Sequence, residues 1–193
     1  KISTTGEQAG IDSFNGSLRD LGTRRIDLLQ VHNIRDTDVH LRTIRRLRDE
    51  GKVRYIGITT SFKSAYEEYE RIMRREKLDF VQIDYALDNR RAEERILPLA
   101  RDRGMAVLIN LPFGRGRLFG KVRGRTLPPW AADIDCSSWA QLFLKFVLAH
   151  PAVTTVIPGT DRPEYALDNL HAARGRMPDA RMRERILSYW DQL

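Results

Sequence analysis

Five short apolar runs, at residues 26–31, 53–58, 80–83, 105–109 and 153–157, constrain this chain more than any other feature. Each is bounded by polar residues and is long enough for one buried strand. Their first residues lie 27, 27, 25 and 48 positions apart, and the first three intervals each hold one helical pattern. A connection of that length between buried strands is the crossover that parallel pairing requires, so the pattern predicts an α/β fold. Leu41, Ile44 and Leu47 recur at helical spacing in one interval, and Ala65, Tyr69, Ile72 and Met73 do so in the next. Each of these helices therefore has one face to bury. Pro98 is tolerated in a first turn, which predicts a helix from near Leu97 to Gly104, with Gly51 and Gly104 at helix stops. The fourth interval carries a loop at 112–138, rich in Gly, Arg and Pro, before a helix with Trp139, Leu142, Phe143, Phe146 and Val147 on one face. Pro163 opens a helix to about Leu170, and a closing helix runs from about Asp179 to Trp190. No domain boundary is evident, so residues 1–193 are expected to form a single domain.

Composition narrows the function classes. With 41% hydrophobic and 31% charged residues the chain reads as an ordinary globular one, and no apolar window approaches the roughly 18 residues of a membrane helix. A net charge of +7 invites a nucleic-acid partner, which would bind with steep salt dependence. The basic residues are nevertheless interleaved with acids, as in Arg45-Arg46-Leu47-Arg48-Asp49-Glu50, which is the pattern of a solvated helix face. The one densely basic stretch, 115–125, has Phe119 as its sole base-stacking aromatic, so no nucleic-acid partner and no membrane are expected. Cys136 is alone, which excludes an internal disulfide and a thiolate metal site and fits a reducing, cytoplasmic setting. His40, His150 and His171 show no ligand spacing and read as surface or capping residues, so no metal is expected. The chain starts at Lys1 without a signal-like segment, which suggests an upstream part removed or not represented.

Each apolar run turns polar at its carboxyl end: His32-Asn33, Thr59-Thr60-Ser61, Gln82 with Asp84, Asn110, and Gly159-Thr160-Asp161. In parallel α/β folds ligands bind outside those ends, whether the strands form a barrel or an open sheet, and periodicity alone does not choose between the two. The run Ile157-Pro158-Gly159-Thr160-Asp161-Arg162-Pro163-Glu164 leads a strand into a helix start, where free N–H groups and the helix dipole favour a phosphate and Arg162 adds a cation. Pro112-Phe113-Gly114-Arg115-Gly116-Arg117 is weaker, because Gly-rich loops also make ordinary turns. Plain structural readings stand beside these. His32 at a strand end also suits a hydrogen-bonded core histidine, Gln82 a satisfied buried amide, Asp84 an ion-pair partner, and Trp139, Phe143 and Phe146 a helix core.

Taken in order, the motifs resemble the aldo-keto reductases over essentially the whole chain. Asp27-Leu28-Leu29-Gln30-Val31-His32-Asn33 looks like that family's fourth strand, and Gly51-Lys52-Val53-Arg54-Tyr55-Ile56-Gly57-Ile58-Thr59-Thr60 its fifth. Asp79-Phe80-Val81-Gln82 looks like its sixth, with Pro112-Phe113-Gly114 after the seventh and Ile157-Pro158-Gly159-Thr160 and Asn169 after the eighth. The resemblance implies a (β/α)8 TIM barrel, here lacking its first strands, and NAD(P)H-dependent reduction of aldehydes or ketones to alcohols by direct hydride transfer.

It also implies roles. His32 becomes the substrate-orienting histidine and Lys1 the lysine that lowers the pKa of a catalytic tyrosine, while the matching Asp and Tyr would precede residue 1. Cofactor contacts fall on Thr59, Thr60, Gln82, Asn110, Phe113, Gly114, Arg115, Gly159, Thr160, Arg162 and Asn169, with NADPH preferred and NADH possible. Thr59-Thr60 stands where Ser-Asn is commoner, Asn110 where an aromatic often stacks on the nicotinamide, and Gly159 and Tyr165 where cations are frequent. A non-catalytic nucleotide-binding or regulatory barrel is the alternative, and the expected partner is a small carbonyl compound.

Overall fold

The computed structural model describes residues 1–193. Its backbone divides into two compact units, residues 1–83 with 98–106 and residues 84–97 with 107–193.

In the first unit, helix α1 (Glu7–Asp20) precedes strand β1 (Ile26–His32), helix α2 (Thr37–Asp49), strand β2 (Val53–Thr59), helix α3 (Tyr66–Arg75) and strand β3 (Phe80–Asp84). β1 pairs with β2 in parallel from Ile26 opposite Val53 to His32 opposite Thr59, and β2 pairs with β3 from Gly57 opposite Phe80 to Thr59 opposite Gln82. On the other side of β1, Ile2 bridges Val31 in parallel; its N–H donates to the Gln30 carbonyl at 2.9 Å, and the His32 N–H donates to the Ile2 carbonyl at 2.8 Å. The periodic residues meet in the core, where Leu41, Ile44 and Leu47 of α2 and Tyr69, Ile72 and Met73 of α3 are buried with Leu29, Val31, Ile56, Ile58 and Val81. Burying such side chains stabilises by roughly 1.5–3 kcal/mol each, which is what commits the helices to these faces. Gly51 and Gly104 take the left-handed conformation at the ends of α2 and of helix α4 (Ile96–Asp102), with φ of 74° and 64°. A β-carbon is strained there, so glycine ends the helix cheaply.

Two features of this unit depart from expectation. Helix α1 buries only Gly10 and Phe14, too few apolar residues to announce itself by period. His40, expected at the surface or at a cap, is fully buried on α2; its Nε2 lies 2.8 Å from the Thr4 carbonyl oxygen, and its ring fills the space where a side chain at Gly10 would project. The signal is present in the sequence, because His40 lies four residues before Ile44 and seven before Leu47, on the buried stripe.

In the second unit, β4 (Ala106–Asn110) pairs in parallel with β5 (Thr155–Val156), Leu108 opposite Thr155 and Ile109 opposite Val156. The fourth strand begins one residue later than the apolar run and takes in Asn110. The fifth run, expected as a buried strand over 153–157, yields two residues whose side chains stay partly or fully exposed, and Ile157 is 44% exposed. β5 pairs with β4 alone, and its run carries Thr154 and Thr155, so it has less apolar surface to bury than the other strands. The 112–138 loop has structure of its own: helix α5 (Arg117–Lys121) and a 3₁₀ segment at Pro129–Ile134. Helices α6 (Trp139–Leu148), α7 (Pro163–His171) and α8 (Ala180–Gln192) follow. Ser138 caps α6 by accepting from the Gln141 N–H at 3.1 Å, and Asp179 caps α8 by accepting from the Met182 N–H at 2.8 Å.

The core of this unit is built on α6, whose Leu142, Phe143, Leu144, Phe146 and Val147 are buried, and on Ile186 and Trp190 of α8. Two polar clusters are set into it. Tyr85 donates to Glu93, while Arg183 bonds the Tyr85 hydroxyl at 3.0 Å, Glu93 at 2.8 Å and the Phe146 carbonyl. Lys145 is fully buried, and its ammonium donates to the carbonyls of Arg174 at 2.6 Å and Arg176 at 2.8 Å.

Cys136 is buried in the same unit, and burial pushes its thiol up to about 11, with the nearby Lys145 charge acting in the opposite sense. The thiolate is the reactive form. At pH 8 the native chain is therefore expected to react with a thiol reagent far more slowly than the denatured chain, and equal rates would contradict this burial. A folded pKa raised above the unfolded value of about 8.5 stabilises the fold fully below that pH, and the contribution is lost as pH rises through about 11.

Candidate functional site

In the first unit the site is built by strand register. His32 is opposite Thr59, and Thr59 is opposite Gln82, so one row at the carboxyl ends of β1, β2 and β3 carries three of the residues singled out by sequence. Registered partners in a parallel sheet present side chains to the same face. Thr59, Thr60 and Gln82 are buried, and His32 is partly exposed. Lys1 precedes the Ile2 bridge and so stands beside the end of β1, next to His32 in the electrostatic sense.

Burial, and after it the Lys1 charge, hold the His32 imidazole below its ordinary value, and burial also lowers the Lys1 ammonium. Both shifts favour the uncharged form. His32 is thereby a neutral imidazole near neutral pH, offering one N–H donor and one acceptor. The folded state favours that neutral form, so its contribution to stability is present above the unfolded pKa of about 6.5 and fades as pH falls through the lower folded value.

Tyr69 locks the end of this row, a role that its helical spacing does not distinguish from plain packing. Its hydroxyl lies 3.0 Å from the carbonyl oxygens of Ile58 and Gln82 and accepts from the Gln82 N–H at 3.0 Å. The Thr60 N–H donates to the Gln82 carbonyl at 3.1 Å. Gln82 Oε1 is buried with no hydrogen-bond partner. An unpaired buried acceptor costs about 1–3 kcal/mol, and an amide N–H donor of a ligand would satisfy it.

The second unit contains a pocket of about 450 Å³, lined by Phe113, Phe119, Trp139, Tyr165, Gly159, Thr160, Asp168 and Asn169 among others. It gathers four predicted residues: Phe113, Gly159, Thr160 and Asn169. Its lining combines the aromatic rings of Phe113, Phe119, Trp139 and Tyr165 with polar groups of Thr160, Asp168 and Asn169. Arg162 lies at the start of α7, with its guanidinium 5.4 Å from the centre of the Tyr165 ring and 3.9 Å from Glu164.

Arg162 falls outside this lining, as do three more predicted residues of this unit. Asn110 ends β4, with a buried Oδ1 that has no partner. Gly114 is buried with φ of 57°, and a β-carbon there would sit 2.7 Å from the Asp88 carboxylate, so only glycine lets the loop approach that group. Arg115, also at positive φ, is exposed.

Ser138, Trp139 and Asp168 are site residues that the sequence does not announce. Asp168 accepts from the Ser138 hydroxyl and from the Gln141 amide, both at 2.6 Å, which fixes the pocket wall between α6 and α7. Trp139 reads as core because it shares the apolar stripe of α6, and that periodicity does not tell a pocket wall from a packed face. No helix is long and apolar enough to cross a membrane.

Residues 3–185 match the model of the aldo/keto reductase family. The chain is 27% identical over 191 residues to the uncharacterized oxidoreductase YqkF of Bacillus subtilis strain 168, covering 86% of this chain and 60% of that protein. It superposes with a TM-score of 0.72 on the holo form of aldo-keto reductase AKR11C1 from Bacillus halodurans, at 26% identity, over 92% of this chain and 65% of that one. The glycerol dehydrogenase AKR11B4 of Gluconobacter oxydans gives a TM-score of 0.76 at 21% identity over 96% of this chain and 64% of that one, a likeness of fold. The chain thus spans about 60% of the length of this curated relative.

Proposed function

The chain belongs to the aldo/keto reductase family and carries part of its α/β TIM barrel, and from that premise we propose that it serves the NAD(P)H-dependent reduction of aldehydes or ketones to alcohols. The observation that carries this reading is the registered row of His32, Thr59 and Gln82, with the unpaired Gln82 Oε1 in it. When bound, a nicotinamide nucleotide supplies the hydride. Gln82 Oε1 would accept from its carboxamide, with the Thr59 and Thr60 hydroxyls as further polar contacts in the same unit. Phe113, Trp139 and Tyr165 offer apolar walls to an adenine, Asn169 a polar edge, and Gly159, Thr160 and Arg162 a place for phosphate at the start of α7. By the family resemblance, Gly114 and Arg115 would contact the nucleotide as well. His32 donates its N–H to the carbonyl oxygen and aligns it, and Lys1 lowers the pKa of the proton-giving tyrosine that the family resemblance assigns to the segment before residue 1.

The proposal includes a single barrel domain, cytoplasmic location, preference for NADPH and a small carbonyl substrate. Its test begins with Trp139, which lines the pocket and reports on it. Titration with NADPH is expected to quench tryptophan fluorescence saturably, and Trp139→Phe to remove most of that signal. Arg162→Ala is expected to weaken NADPH about tenfold, or roughly 1.4 kcal/mol, while leaving NADH nearly unchanged. Absence of quenching by either nucleotide would sink the cofactor assignment.

A non-catalytic nucleotide-binding barrel is the second reading, favoured by Thr60 and Asn110 standing where the family commonly has other residues. Nucleotide binding without NADPH consumption across an aldehyde panel, in protein carrying the complete barrel, would select it.

A further inference from the structure

The His32 ring has a protein partner that no role has yet absorbed. Its Nδ1 lies 3.3 Å from Ser3 Oγ. Ser3 belongs to a short segment whose residues are gripped one after another by groups just beyond β1. Arg35 donates to the Ser3 carbonyl at 3.2 Å and to the Thr5 hydroxyl at 3.1 Å, and the buried His40 holds the Thr4 carbonyl at 2.8 Å. Asp36 accepts from the Gly6 N–H at 2.7 Å. The turn that aims Arg35 and Asp36 back at this segment contains three non-glycine residues in the left-handed region, Asn33, Ile34 and Asp36, with φ of 52°, 47° and 50°. Such strain persists only where surrounding contacts over-determine the backbone, and it gathers at working sites.

A serine hydroxyl can donate or accept, whereas a neutral imidazole has one nitrogen of each kind, and the bond made by one nitrogen decides which carries the hydrogen. We propose that Ser3 is a positioning residue for His32: its hydroxyl donates to Nδ1 and thereby fixes the tautomer whose Nε2 carries the hydrogen. Arg35 is the clamp that keeps Ser3 in place. The consequence for function rests on the reading of His32 as the group that donates to a carbonyl oxygen, because the Nε2–H tautomer is then held ready before substrate arrives.

The test reads the ring nitrogens of His32 directly, by long-range proton–nitrogen correlation NMR on the 193-residue chain near neutral pH. The native chain is expected to show Nδ1 unprotonated and Nε2 protonated. Ser3→Ala, at an exposed position that leaves the fold intact, is expected to give a mixture of tautomers, and Ser3→Thr, which restores a hydroxyl, to return the native signals. Arg35→Ala is expected to mix the tautomers with Ser3 still present. A protonated Nδ1 in the native chain, or Ser3→Ala signals identical to native, would overturn the assignment. Failure of aldehyde turnover bears on the reductase reading, whereas the nitrogen signals decide the role of Ser3 whatever the turnover.

Discussion

Replacing Gly57 with alanine is expected to lower the melting temperature by about 6–12 °C, the equivalent of roughly 3 kcal/mol in a chain of this size. A β-carbon at Gly57 would stand 2.6 Å from the Phe80 carbonyl oxygen and 3.2 Å from both Gln30 Cγ and Phe80 Cβ. The nearest obstacle is backbone, which has no rotamer to change. Relief requires β3 to shift away from β2 at the register point where Gly57 meets Phe80, two residues before Thr59 meets Gln82. The substitution should therefore also weaken nucleotide binding, by displacing Gln82 from the row that holds His32 and Thr59. Gly120→Ala is the control, because nothing lies within 4 Å of a β-carbon there and its backbone is not left-handed. It is expected to be neutral or slightly stabilising. Melting curves of the two variants measure the contrast, and a Gly57→Ala chain that melts with the parent would refute the close approach of β2 and β3.

Lys145→Met is expected to cost about 2–4 kcal/mol in urea unfolding. Two effects oppose each other. Removing a fully buried ammonium relieves its desolvation, which in some proteins makes such a replacement harmless. Here the ammonium donates to two carbonyls, of Arg174 and Arg176, in the turn that follows α7, and methionine fills the same volume while leaving both acceptors bare. Loss of two charge-assisted hydrogen bonds outweighs the relief of desolvation. The turn anchors the end of the helix that carries Asp168 and Asn169, so faster amide exchange over residues 172–176 and weaker nucleotide binding should accompany the loss. The Cys136 thiol should titrate still higher, because the Lys145 charge lowers it. Unchanged or increased stability would show that desolvation of the ammonium dominates instead.

The parallel α/β architecture was legible because its signal is local and repeated. Apolar runs at crossover spacing and helices with a single apolar stripe need no knowledge of neighbours. The row of His32, Thr59 and Gln82 was legible in part, since each residue ends an apolar run, but only pairing register shows that the three are opposite one another. The length of β5 was not legible. Its run is bounded by polar residues like the others, yet it pairs with β4 alone and stays partly open to solvent.

Polar residues mark where reading by composition stops. His40 and Lys145 are polar or charged by type and give no sign of burial by composition, yet both are fully buried, His40 with its Nε2 on the Thr4 carbonyl and Lys145 with its ammonium on the carbonyls of Arg174 and Arg176. Such acceptors lie 29 to 36 residues away along the chain, beyond any helical or strand period. The close approaches at Gly57 and Gly10 are likewise set by what packs above them. By itself, then, the sequence determined the fold class, the family resemblance and the strand ends at which chemistry is to be sought, since these depend on local period and ordered motifs. The tertiary structure alone decided which of those residues share a row or a pocket, and which polar groups are buried with partners. Register and long-range hydrogen bonds are properties of chain segments brought together in space, and no stretch of residues specifies its partner in isolation.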